Sequence, residues 1–156
     1  FVTKKRVIEE ALALHRPNAS DPLDVLSKVG GLDLAAMTGA FLGCARHRIP
    51  GVVDGFISIV AALCACRLCP QVREYLFLSH ASYEVGYQLA ARELGLDACL
   101  LLGMRLGEGS GCPLAFQILK GACAVMCGMG TFQEAAIDDE YLEEIRAVDS
   151  YTVVLP

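Results

Sequence analysis

Apolar and polar residues are arranged along this chain in blocks that predict helices and short strands in turn. Apolar residues recur at helical spacing in six blocks: 4–14, 23–28, 32–47, 57–68, 82–94 and 113–129. Short apolar runs at 49–53, 75–78 and 99–102 lie between the helical blocks and predict buried strands. Strands that alternate with helices indicate an α/β fold with a parallel sheet. We therefore expect a Rossmann-like layer with helices on both faces, here as a partial domain.

Polar residues follow each predicted strand. Asp54 follows the first strand, Ser79, His80 and Ser82 follow the second, and Glu108 comes after the third. The carboxyl ends of parallel strands face one crevice, so these groups could converge on a ligand. Local alternatives remain open: Asp54 and Ser82 as helix caps, and His80 as a turn residue.

Glu108 stands in a loop rich in glycine, with Gly107, Gly109 and Gly111 around it. Glycines let the backbone adopt positive φ angles and leave room for a flat ligand. Such a junction can present a carboxylate as a general base. The alternative is a solvated glutamate in a flexible turn.

Composition favours one apolar domain without a membrane or nucleic-acid role. The chain has 156 residues, of which 54% are hydrophobic, and its mean hydropathy is +0.47. We expect much of this apolar surface to be buried in a covered sheet or in a subunit interface. The longest uncharged run, 55–66, is shorter than the roughly 20 residues that cross a bilayer. The net charge of −5 argues against binding nucleic acid.

The eight cysteines are interpreted as reduced thiols, because most lie in small apolar helical runs. One cluster, Cys64, Cys66 and Cys69, has a spacing that could suggest zinc. On a helix, however, Cys64 and Cys66 point about 200° apart and cannot share a metal ion unless the helix is broken. We expect no metal site and a reducing, cytoplasmic compartment, since the basic N-terminus also lacks the apolar core of a signal peptide.

Six short motifs resemble those of one family in order and spacing. They are Lys4-x-x-Val7-Ile8-Glu9-x-Ala11-Leu12, Asp21-Pro22-Leu23-Asp24-Val25-Leu26, Gly30-Gly31, Val53-Asp54-Gly55-Phe56-Ile57, Ser79-His80-x-Ser82-x-Glu84 and 104–111, Met-Arg-Leu-Gly-Glu-Gly-Ser-Gly. From Lys4 to about Phe132 the chain resembles the C-terminal half of the nicotinate-nucleotide–dimethylbenzimidazole phosphoribosyltransferases, which make the lower-ligand nucleotide of cobalamin. Residues 1–132 are thus expected to belong to the family's α/β domain, and 133–156 to form an acidic tail.

The resemblance implies a role for each matched position. Glu108 falls on the family's catalytic base. Lys4, Asp54 and Ser82 fall on positions that line the ribose and phosphate of the nucleotide. Met104 and Leu106 lie beside the aromatic base. The chain departs from the family pattern at three positions. Tyr83 stands where the family commonly has alanine, and Val85 and Tyr87 also differ. These three differences put the fine geometry of the phosphate site in doubt.

The expected reaction moves the phosphoribosyl group of nicotinate mononucleotide to 5,6-dimethylbenzimidazole and needs no cofactor. The resemblance also implies a homodimer. Because the chain opens on Phe1 and the family's N-terminal half is expected to complete the site, a non-catalytic nucleotide- or benzimidazole-binding module is the alternative. A structural half-domain or regulatory paralogue is a third interpretation, and the preferred base stays open.

Overall fold

A three-stranded parallel sheet organises the part of the chain that the computed structural model describes, residues 2–105 and 107–136. The strands are β1 (Gly51–Val53), β2 (Leu76–His80) and β3 (Ala98–Leu100), and they are ordered β1-β2-β3. Val53 is in register with Leu78, and His80 with Leu100. The predicted α/β class with a parallel sheet is confirmed.

Six α-helices and one short 3-10 helix accompany the strands in the described residues. They are α1 (Val2–His15), α2 (Pro22–Val29), α3 (Leu32–His47), α4 (Phe56–Leu68), the 3-10 helix Pro70–Tyr75, α5 (Val85–Leu94) and α6 (Cys112–Gly128). The start of α2 follows the expected chemistry: Asp21 Oδ1 accepts a hydrogen bond from Leu23 N at 3.0 Å, and Pro22 occupies the first turn. The predicted bounds of α3 are confirmed at both ends.

The core of the fold lies between the sheet and helices α3, α4 and α5. Small side chains on α4 (Ala61, Ala62 and Ala65) are fully buried and allow α3 to approach closely. The approach is close enough to place Thr38 Oγ1 3.2 Å from the carbonyl oxygen of Ala61. The buried cluster consists of Phe41, Val53, Ile59, Ala61, Ala62, Ala65, Val72, Leu76, Leu78, Tyr87, Ala90 and Leu94.

The largest difference from the predicted elements lies between residues 79 and 85. We expected β2 to end at Leu78 and a helix to begin at Ala81 or Ser82. Instead β2 continues to His80, because β3 pairs with it there and Ala81 N donates to Leu100 O at 2.9 Å. Helix α5 begins only at Val85. Ser79 and His80 are therefore part of the strand, and both are buried.

The chain divides into two compact units, 1–118 and 119–156. In the second unit, Glu134 Oε2 accepts a hydrogen bond from Thr131 N at 2.8 Å. Most of the predicted acidic tail, from residue 137 onward, lies outside the described residues. The domain boundary at residue 132 stays a prediction.

None of the helices described in 2–105 and 107–136 has the length and apolar character needed to cross a bilayer. All eight cysteines fall within the described residues, and all eight thiols are free. Burial raises the pKa of the Cys66 thiol to about 11, although Arg73 opposes the shift. That thiol is therefore protonated at neutral pH.

Candidate active site

The carboxyl edge of the sheet gathers three of the polar residues that follow strands. Asp54 comes directly after β1, His80 ends β2, and Ser82 lies two residues further on. All three are buried, with exposed fractions of 6%, 1% and 6%. Buried polar side chains need hydrogen-bond partners, so the partners of these three residues show how the site is organised.

The carboxylate of Asp54 binds the backbone of the glycine-rich loop. Its Oδ2 accepts a hydrogen bond from Gly109 N at 3.0 Å, and its Oδ1 accepts one from Gly111 N at 2.8 Å. Helix α4 instead begins after Gly55, with no side-chain cap. The alternative that Asp54 caps this helix is therefore wrong.

The loop holds Glu108 in a backbone conformation that non-glycine residues rarely adopt. Its φ is +62°, and that of Gly109 is +79°. The left-handed region costs an ordinary L-residue roughly 1–2 kcal/mol. The turn is closed by Ser110 Oγ, which donates to Gly107 O at 2.9 Å, and by Cys112 N, which donates to Gly109 O at 3.0 Å. Such local strain is characteristic of functional loops, and the Glu108 side chain is exposed.

His80 lies directly behind this loop. Its Nδ1 is 3.1 Å from Ser79 Oγ and 3.6 Å from Asp54 Oδ1. The backbone of Gly111 packs against the same three residues, so that a Cβ there would clash with His80 Nδ1 and lie 2.8 Å from Ser79 Oγ. Glycine at 111 is required by this close approach.

A cavity of about 620 Å³ opens in front of the loop. That volume is within the range of small-molecule sites. Its wall consists of Asp33, Met37, Asp54, Gly55, Phe56, Ile57, Ser58, His80, Ser82, Glu84, Arg105, Gly107, Glu108 and Gly109. Three of the predicted site residues, Asp54, Ser82 and Glu108, are therefore brought together in one wall.

The other predicted site residues lie elsewhere. Lys4 is exposed on α1 and is not part of the described wall. Met104 is half-buried and also lies outside it. Leu106 lies outside the described residues. The roles that the resemblance assigns to these three positions stay predictions.

One cation and two acids of the described cavity wall, Arg105, Asp33 and Glu84, are not among the predicted site residues. Arg105 lines it, and its guanidinium carbon lies 4.4 Å from the ring centroid of Tyr83, a distance suited to a cation–π contact. Arg105 stands inside the motif that contains Glu108, a signal that could have identified it. Asp33 is on α3, and only the fold brings it here.

A second cavity of about 600 Å³, between α2 and α3, lacks comparable chemistry. Its described wall is apolar except for Ser27, Thr38 and backbone groups. Both hydroxyls already lie within hydrogen-bond distance of helix carbonyls: Ser27 Oγ of Asp24 O at 2.9 Å, and Thr38 Oγ1 of Leu34 O at 2.8 Å. The loop cavity is therefore the candidate active site.

Known proteins share both the sequence and the fold. A family profile described as "Phosphoribosyltransferase" matches residues 1–137. The chain belongs to this phosphoribosyltransferase family. It is 56% identical over 154 residues to a nicotinate-nucleotide–dimethylbenzimidazole phosphoribosyltransferase of Clostridium perfringens, and covers 43% of that protein with 99% of its own length. It is 46% identical to a protein of the same name from Clostridium tetani, covering 41% of it with 94% of its own length.

The fold also agrees with a solved structure. The crystal structure of the corresponding phosphoribosyltransferase from Thermus thermophilus matches with a TM-score of 0.76 and 39% sequence identity. The match covers 84% of this chain and 39% of that one. The chain thus spans about two fifths of the length of the relatives it matches.

Proposed function

We propose that this chain contributes the general base and one wall of the substrate cavity to an enzyme that transfers phosphoribosyl groups. The donor is nicotinate mononucleotide, the acceptor is 5,6-dimethylbenzimidazole, and the products are α-ribazole 5′-phosphate and nicotinate. The observation that carries the proposal is Glu108, held at the cavity by the loop that Asp54 binds. The names of the relatives supply the substrates.

Glu108 fits the proton transfer that this reaction requires. One nitrogen of the benzimidazole attacks C1′ of the ribose, and the bond between C1′ and the pyridinium nitrogen breaks. The bonding pair moves to the pyridine nitrogen and neutralises its charge. The acceptor ring becomes cationic, and its other N–H loses a proton to a carboxylate within ~3 Å. Attack opposite the leaving nicotinate inverts C1′ and gives the α-nucleotide.

The described cavity wall offers one cation, Arg105, to an anionic phosphate, beside four carboxylates, Asp33, Asp54, Glu84 and Glu108. Arg105 is the arginine among the described wall residues, and its guanidinium carbon lies 4.4 Å from the centroid of the Tyr83 ring. Arginine binds phosphate oxygens through paired N–H donors. Asp54 and Ser82, which the resemblance assigns to the ribose and phosphate, stand in the same wall.

The experiment that tests this proposal is a product assay with the full-length gene product. Nicotinate mononucleotide is incubated with 5,6-dimethylbenzimidazole, adenine or a phenol, and nicotinate and the α-nucleotide are quantified. We expect the two products in equal amounts. Saturable binding of the substrates with no turnover would favour the alternative, a binding module without catalysis, which the partial coverage of the relatives motivates.

We expect the reaction to proceed without a metal ion. The pyridinium leaving group is already activated, so no Lewis acid is needed to expel it. Within the part of the chain that the structure describes, no three His, Cys, Asp or Glu side chains are grouped to hold a metal. Activity should persist after dialysis against a chelator. Stoichiometric zinc in the purified protein, lost together with activity in Cys66→Ala, would contradict this expectation.

We also propose a homodimer in the cytoplasm. Large apolar side chains are exposed on α1 and α6, among them Ile8, Leu12, Val125 and Met126. Exposed apolar surface of this kind favours association. Light scattering of the full-length protein across a concentration series should give twice the monomer mass. A constant monomer mass up to roughly tens of micromolar, with no binding of an apolar dye, would refute the assembly.

A further inference from the structure

We infer that Asp54 is the positioning residue for Glu108 and acts through the loop rather than by contact with the nucleotide. The inference rests on the proposed function and assigns Asp54 a different role from the one the resemblance implies. Both of its carboxylate oxygens are already engaged by loop amides, at 3.0 Å from Gly109 N and 2.8 Å from Gly111 N.

The two bonds hold the backbone immediately after Glu108. Gly109 follows Glu108 directly, and Gly111 lies three residues after Glu108, so both bonds act within one turn of backbone. Glu108 itself is in the left-handed region, which is unfavourable for it. A conformation of that kind persists only where surrounding contacts hold it. Charge-assisted hydrogen bonds donated by backbone N–H groups to a buried carboxylate are among the stronger contacts available for this task.

Asp54 also has contacts on the side away from the loop. Its own backbone N–H donates to Ser58 Oγ at 3.0 Å, and Ser58 Oγ donates to Gly55 O at 2.9 Å. His80 Nδ1 lies 3.6 Å from Asp54 Oδ1 on the buried side. These contacts fix the backbone of Asp54, and its buried carboxylate is held on the loop by the bonds to Gly109 N and Gly111 N.

A double-mutant cycle in the full-length protein tests this role. Asp54→Asn keeps the size of the side chain but places an NH₂ group against a backbone N–H, so one of the two bonds is lost. We expect kcat to fall about 10- to 100-fold, the scale of a misplaced catalytic group. The KM for nicotinate mononucleotide should stay within about twofold of wild type. Adding Asp54→Asn to Glu108→Gln should change kcat little further, because the loop then has no base to position.

The contrary results are equally specific. A raised KM for nicotinate mononucleotide with unchanged kcat, or losses that multiply in the double variant, would show that Asp54 contacts substrate independently and would overturn the inference. Asp97→Asn, the same change on an exposed residue before β3, is the matched control and should behave as wild type. Full activity of Glu108→Gln alone would instead refute the proposed function and leave the loop contact unaffected.

A second measurement keeps the inference testable if Asp54→Asn does not fold. In the wild-type protein, amide hydrogen exchange read residue by residue should be at least about tenfold slower at Gly109 and Gly111 than at Glu108, whose N–H has no partner among the described hydrogen bonds. Equal exchange at the three amides would mean that Asp54 does not hold the loop in solution.

Discussion

Replacing Glu108 with glutamine is expected to lower kcat by about 10²-fold or more, the usual scale for the loss of a general base. The amide has nearly the same shape and can stay at the mouth of the cavity, but it cannot accept the proton of the benzimidazole. Steady-state kinetics of the full-length protein at saturating nicotinate mononucleotide would measure the effect.

The control for this change is Glu74→Gln. Glu74 is an exposed glutamate in the 3-10 helix that precedes β2, and it is not part of the described cavity wall. It should keep wild-type turnover. A Glu108→Gln protein that also turns over at the wild-type rate would remove Glu108 from the mechanism.

The second large effect is expected at Gly111. Its φ is outside the positive region, so alanine would suit the backbone, and the cost of Gly111→Ala is steric. The new Cβ would clash with His80 Nδ1 and lie 2.8 Å from Ser79 Oγ and 2.9 Å from Asp54 Oδ1. Overpacking of this kind costs about 1–3 kcal/mol. We expect the free energy of unfolding to fall by that amount and kcat to fall with it, because the loop must move.

Denaturant unfolding and turnover of the same preparations would test the prediction. Gly39→Ala is the matched control, since a Cβ at Gly39 on α3 meets no atom within 4 Å. Alanine in a helix is favoured over glycine by up to about 1 kcal/mol, so this control should be neutral or stabilising. If the two alanine variants were equally stable and equally active, the close packing behind the loop would be disproved.

The elements set by local pattern could be predicted, and those set by distant contacts could not. The bounds of α3 and the three parallel strands follow from apolar periodicity within short windows. The end of β2 was misjudged because Ser79 and His80 look like loop residues until β3 pairs beside them. The polar residues after the first two strands, Asp54, His80 and Ser82, do line one cavity, while their roles stay predictions.

The contacts among the residues of the cavity wall could not be predicted from the sequence. The partners of Asp54 lie 55 and 57 positions further along the chain, and no local rule connects them. Its position after a strand indicated a ligand contact or a helix cap, whereas its hydrogen bonds go to loop amides. Asp33 is in the wall only because α3 packs beside α4.

The long separation between Asp54 and its loop has a consequence for the order of folding. The polypeptide must close a loop of more than fifty residues before Gly109 and Gly111 can reach the carboxylate, and non-local contacts of this kind form late. Until then Asp54 is a charge at the edge of a forming core with no amide to satisfy it, which is costly once water leaves. Docking of the loop therefore completes the reactive geometry and also removes that penalty, so a chain that stopped at Gly107 would lose stability together with Glu108.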